Sequence, residues 1–147
     1  MATINFNGKT VSDTEIKNVL QAICDFFEAD VNVTSGDRNY VPPGGSPTSM
    51  HLKNRAADFH VSGYDDGTVY MYLKVFASAF FASGNNYEVI WHGIHTNTTG
   101  PHIHVARLGS TGEWGTVKFM REGTTSSNVG GSKNRDIDLP LIAVPAR

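Results

Sequence analysis

The chain of 147 residues holds a single cysteine, Cys24. One thiol closes no internal disulfide, so the fold must rest on its apolar core. A domain of about 150 residues buries roughly 68–70% of the surface its unfolded chain exposes, which is enough without staples. Cys24 falls inside an amphipathic stretch and reads as a small buried hydrophobe rather than a nucleophile. Positive charge is not in excess. Lys and Arg number 12 against 14 Asp and Glu, for a formal net charge of −2. That excludes the broad basic footprint of a nucleic-acid binder and disfavours a nuclease. No apolar run approaches the ~20 residues of a membrane-spanning helix. The opening Met1–Gly8 shows no basic region followed by an apolar run, so no signal peptide is read. A substrate outside the cytoplasm then requires cell lysis, phage delivery or a dedicated secretion machine. Internal repeats are absent too.

What is present suits one globular domain: 39% of residues are hydrophobic and 18% charged. Ile4 and Phe6 alternate weakly and suggest a short strand or arm. Ser12 and Glu15 have the spacing of a capping box. Ile16, Val19, Leu20, Ile23 and Phe27 follow at helical period, which predicts a helix over about 13–28. Val31–Thr34 reads as a strand. A loop rich in Pro and Gly, Val41–Thr48, leads into His51. Ala56–Val61 alternates and predicts a strand that sets Asp58 and His60 on one face. A second helix is expected from Thr68 to about Ser83, buried through Val69, Tyr72, Leu73, Phe76 and Phe80. Tyr87–His92 and His102–Ala106 read as a hairpin, and Thr116–Met120 as one more strand. Residues 1–121 are expected to form the working domain. Residues 122–147 read as an irregular tail, whose apolar Leu139–Val144 docks on the core or meets a partner.

The chemistry lies in the histidines. Four of the six fall between residues 92 and 104. On a strand His102 and His104 face the same side. If His51 and Asp58 meet them, imidazoles and a carboxylate converge as a catalytic zinc ion prefers, with one position left open for water. Such an ion brings its bound water to a pKa of about 7, and amide hydrolysis is the matching reaction. A general base is harder to find. Pro101 stands three residues before His104, so there is no Glu-x-x-His. His102 is the candidate base, or else a fourth ligand. Glu88 is a weaker catalytic carboxylate, and an exposed strand residue otherwise. His60 is either a supporting residue behind the ligands or an ordinary solvated histidine. Arg38 offers a planar donor fork for a substrate carboxylate or oxyanion, its alternative being an ion pair with Asp37.

These stretches together resemble the M15-type zinc D-Ala-D-Ala carboxypeptidases and related peptidoglycan endopeptidases. That family's pattern opens with Ser-Gly-Tyr-Arg, here Ser35-Gly36-Asp37-Arg38. It continues as Ser-x-His-x-x-Gly-x-Ala-x-Asp, here Ser49 to Asp58, and closes on a His-x-His strand, here His102-Ile103-His104. The resemblance spans roughly residues 31–106. It implies that His51, Asp58 and His104 bind one zinc, that His102 assists the chemistry, and that Arg38 and Ser49 contact substrate. It implies an α+β hedgehog/DD-peptidase fold, with an antiparallel sheet bearing the metal and helices packed on one side. The substrate it implies is a peptidoglycan peptide, cut at a D-Ala bond or, as in related endolysins, between L-Ala and D-Glu. A phage lysin or an exported antibacterial effector is the expected setting, with a phage structural or secretion-system partner. A non-catalytic zinc-containing binding module is the rival. Two departures stand out. Asn54 replaces a Gly, and Asn tolerates left-handed backbone angles well. Asp37 replaces an aromatic, which is expected to alter the wall of the substrate groove.

Overall fold

The computed structural model describes residues 1–130 and 134–141. Among them, seven strands form one sheet in the order β1-β2-β3-β5-β4-β6-β7. The strands are β1 (Ile4–Asn5), β2 (Val31–Ser35), β3 (Ala56–Val61), β4 (Asn85–His92), β5 (His102–Ser110), β6 (Thr116–Glu122) and β7 (Arg135–Pro140). The helices are α1 (Thr14–Phe27), α2 (Asp66–Val75) and the single turn α3 (Ala77–Phe80). The α+β class is as expected, but the sheet is mixed rather than antiparallel. β1 runs parallel to β2, and β4 parallel to β6.

The two faces of the sheet divide the labour, because side chains alternate along each strand. Phe59, Val89, Val105 and Phe119 face one way. They join Ile16, Leu20 and Ile23 of α1 and Val69 and Leu73 of α2 in one apolar core, with Cys24 buried there as a hydrophobe. The opposite parity places Asp58, Glu88, His92, His102, His104 and Glu122 together on the other face.

Several expected elements differ in detail. Helix α1 is capped by Asp13 rather than by Ser12. Asp13 accepts from the Ile16 N–H at 3.1 Å and also grips Arg107 at 2.7 Å, so one carboxylate both caps the helix and pairs a cation. Ser12 instead turns to Asp37. Helix α2 starts at Asp66, capped by Asp65, and stops at Val75, because Phe76 leaves helical angles at φ −115°, ψ 37°. Tyr72 and Phe76 are partly exposed, and Tyr70 takes the buried place instead. The expected irregular tail contributes a strand. β7 pairs antiparallel with β6, Asp136 accepts from Tyr70 and Lys74 of α2, and Leu141 is buried. Residues 142–144 of the apolar terminal stretch lie outside the described residues.

Candidate metal centre

His51 sits on a 3-10 turn, Met50–Lys53, that is pinned at both ends. The Ser49 hydroxyl accepts from the His51 N–H at 3.2 Å. Asn54 closes the turn at φ 58°, the left-handed angle expected of it, and its N–H returns to the His51 carbonyl. The Arg38 N–H donates to that same carbonyl at 3.0 Å. Asp58 and His104 need no loop to meet, since β3 and β5 hold them directly opposite each other.

Three ligand atoms converge there. His51 Nε2 lies 2.9 Å from Asp58 Oδ1, His104 Nδ1 lies 3.1 Å from the same oxygen, and the two nitrogens are 3.2 Å apart. The other nitrogen of each ring is already committed. His51 Nδ1 faces the Gly36 carbonyl at 2.7 Å, and His104 Nε2 faces Glu88 Oε2 at 2.8 Å. A carbonyl and a carboxylate only accept, so those nitrogens carry the hydrogens. The remaining nitrogen of each ring and a carboxylate oxygen therefore point at one another. Only a cation between them, a proton or a metal, relieves that arrangement. Zinc bonds of about 2.0–2.1 Å in tetrahedral geometry put ligands roughly 3.4 Å apart, close to what is found. The donor set thus fits zinc, and an outer carboxylate and carbonyl orient its imidazoles as metal-site partners do.

The protonation equilibria carry the same message. Burial alone would discharge His104, but Asp58 and Glu88 outweigh it and push the ring up to about 9. Burial likewise opposes ionisation of Asp58, and bonds from His104 and His51 hold it well below the usual carboxylate range.

Gly36 shows why the first motif is built as it is. A Cβ there would collide with the Thr10 carbonyl, so a side chain would shift the carbonyl that orients His51. Arg38 lines the cleft, its Nε is buried with no hydrogen-bond partner, and it forms no ion pair among the described residues. Asp37, its alternative partner, is held by Ser12. Asp37 itself does not line the cleft.

His102 stands beside the three converging residues. Its Nδ1 is 2.6 Å from the Gly100 carbonyl, and its Nε2 is 3.4 Å from Asp58 Oδ2, the oxygen turned away from His51 and His104. Burial pushes its pKa down despite the pull of Asp58. His60 is elsewhere, paired with Asp66 at 2.8 Å and partly exposed. Glu88 is neither an exposed strand residue nor in contact with the converging atoms, since it holds the far side of His104. His92 and Glu122 also line the cleft, and sequence reasoning gave neither a role. Strand parity was their only signal. The cleft itself encloses about 340 Å³. Its roof is shared by two loops, with Gly44 packed so tightly on the Asn97 carbonyl that no side chain fits there.

Two imidazoles and one carboxylate on the floor of an open cleft are the ligand set of a hydrolytic zinc centre. The comparison with known families gives the class of protein. A Peptidase M15 family model matches residues 3–92, more than half of the chain, and the chain belongs to that family of zinc-dependent metallopeptidases. The match ends at His92, short of His102 and His104. What joins those two to the matched part is the register of β5 against β3 and β4. No curated protein and no solved structure matches the chain.

Proposed function

We propose that this protein is a zinc peptidase of hedgehog/DD-peptidase fold that hydrolyses amide bonds in peptidoglycan stem peptides or cross-links, at a D-Ala bond. The observation that carries the chemistry is the meeting of His51 Nε2, Asp58 Oδ1 and His104 Nδ1 within 3.2 Å, each imidazole fixed from behind. The resemblance of Ser35–Arg38, Ser49–Asp58 and His102–His104 to wall carboxypeptidases supports the substrate class.

His51, Asp58 and His104 would hold the ion. Bound zinc supplies Lewis acidity, polarising a carbonyl and acidifying water. Arg38 reaches the cleft with a planar fork suited to the substrate's carboxylate or carbonyl. Ser49 lines the cleft beside it and has a second task in fixing the His51 turn. His102 moves the proton. Its Nδ1–H is spent on Gly100, so Nε2 can take a proton from the attacking water and return it to the leaving amine. Nε2 faces the second oxygen of Asp58, outside the three converging atoms, which supports an assisting role over a fourth ligand.

Two variants separate these roles. His51→Ala should lose zinc. His102→Ala should keep about one zinc per chain and lose roughly 10²–10⁴-fold in rate. A His102→Ala enzyme working at the wild-type rate would refute its assignment. Mass analysis of digested peptidoglycan identifies the bond, and products cut between L-Ala and D-Glu would overturn the D-Ala reading.

A further inference from the structure

One pair in the cleft, a half-buried histidine and a buried glutamate, takes no part in the chemistry above. His92 ends β4 and Glu122 ends β6, side by side in the parallel register. His92 Nδ1 lies 2.6 Å from Glu122 Oε1. Glu122 is only 3% exposed, and both its oxygens are occupied. The Thr96 hydroxyl shares Oε1, and the N–H groups of Asn97 and Gly130 reach Oε2, each at 3.1 Å. An ionised carboxylate only accepts, so Nδ1 of His92 carries the hydrogen. Nε2 is left over. It has no hydrogen-bond partner among the described residues, and the ring lines the same cleft as the candidate metal ligands. That ring lies against His102, with centroids 4.6 Å apart. With its Nδ1–H given to Glu122, the neutral ring presents Nε2 to the cleft as an acceptor.

We propose that His92 is a substrate-binding residue, its Nε2 accepting a hydrogen bond from an N–H of the peptide next to the bond that is cut, and that Glu122 is the positioning residue that fixes the ring. A peptide entering a cleft gives up water at each of its N–H groups, and each then needs an acceptor. His92 offers one a single ring away from the proposed proton carrier. This rests on the peptidase reading above.

The test uses the zinc-loaded full chain and a synthetic stem pentapeptide ending in D-Ala-D-Ala. His92→Phe keeps a ring against His102 but removes the acceptor. A contact made equally in the ground and transition states shows in KM alone. We expect KM to rise about three- to tenfold, the worth of one hydrogen bond, with kcat within about twofold and zinc content unchanged. His92→Gln, whose amide oxygen can accept, should recover part of the loss, and it serves as the probe if the Phe variant does not fold. Glu122→Gln should raise KM in the same direction, and the double variant no further than the worse single. A His92→Phe enzyme with wild-type KM, or one losing only kcat, overturns the inference and leaves the peptidase reading standing. Additive losses in the double variant overturn the positioning role of Glu122. A wild-type protein that turns over no wall peptide overturns both.

Discussion

Glu88 touches none of the three atoms that face one another, yet it decides which nitrogen of His104 is free. By taking the Nε2–H at 2.8 Å it turns Nδ1 toward Asp58 and His51. Removing such a partner from a metal-bound imidazole typically lowers affinity about 10–100-fold. Glu88→Ala should therefore weaken zinc binding by that order, as read by competition with a chromogenic chelator, while far-UV circular dichroism stays unchanged. Equal zinc affinity in the variant would show that the carboxylate merely fills space. The three converging residues were legible in the chain, because a histidine, a carboxylate seven residues on and a His-x-His strand form a pattern of residue types at fixed spacing. The supporting roles of Glu88 and Glu122 were not, because a lone Glu on a strand has no spacing to betray it. Its role comes from the strand beside it, and pairing partners are not written in local sequence.

At the scale of elements, the turn that carries His51 depends on a left-handed residue. Asn54 holds φ 58° and returns its N–H to the His51 carbonyl. A residue with a plain Cβ costs about 1–2 kcal/mol at such angles, and glycine costs nothing sterically. Asn54→Ala should lose about that much in urea unfolding, and Asn54→Gly should stay within about 0.5 kcal/mol of wild type. A second device is the carboxylate that ends β6. Burial would raise the pKa of Glu122, but bonds from Thr96, His92, Asn97 and Gly130 outweigh it and bring it to about 2, from an ordinary 4.5. A depressed carboxylate contributes stability that is fully present above about pH 4.5 and fades as pH falls toward 2. The melting-temperature gap between wild type and Glu122→Gln should be widest above pH 4.5 and close toward pH 2. A gap independent of pH would mean the carboxylate's charge plays no part. Helix α1 and strands β3 and β5 were legible because their periodicity is strong and local. The end of α2 was not, since no Gly or Pro marks Phe76. Nor was the parallel pairing of β6 with β4. It needs the 111–115 loop to step over the start of β4, where Gly115, at φ 126°, lies too close to the Asn85 carbonyl for any side chain.

Across the whole molecule, one face of the sheet supplies stability and the other spends some of it. The helical face buries the apolar core. The opposite face sets Asp58, His51 and His104 with lone pairs converging and keeps Glu88 and Glu122 ionised behind them. Without a cation that cluster is a liability, and with one it becomes a cross-link between β3, β5 and the loop bearing His51. Ligand binding to the folded state alone adds RT ln(1 + [L]/Kd), about 2.7 kcal/mol when free zinc is a hundredfold above Kd. For a domain of this length each kcal/mol moves the melting temperature by roughly 2–4 °C, so zinc should raise it by about 5–11 °C. Chelator should reverse the gain in scanning calorimetry. His104→Ala should melt at one temperature with or without zinc, because removing one of three ligands collapses the affinity. Asp13→Ala should lower both wild-type curves equally and leave the zinc increment intact, since its cap and its bond to Arg107 are remote from the centre. A wild-type melt indifferent to chelator would mean that the convergence of these three side chains does not bind the ion, and the functional reading would fall with it.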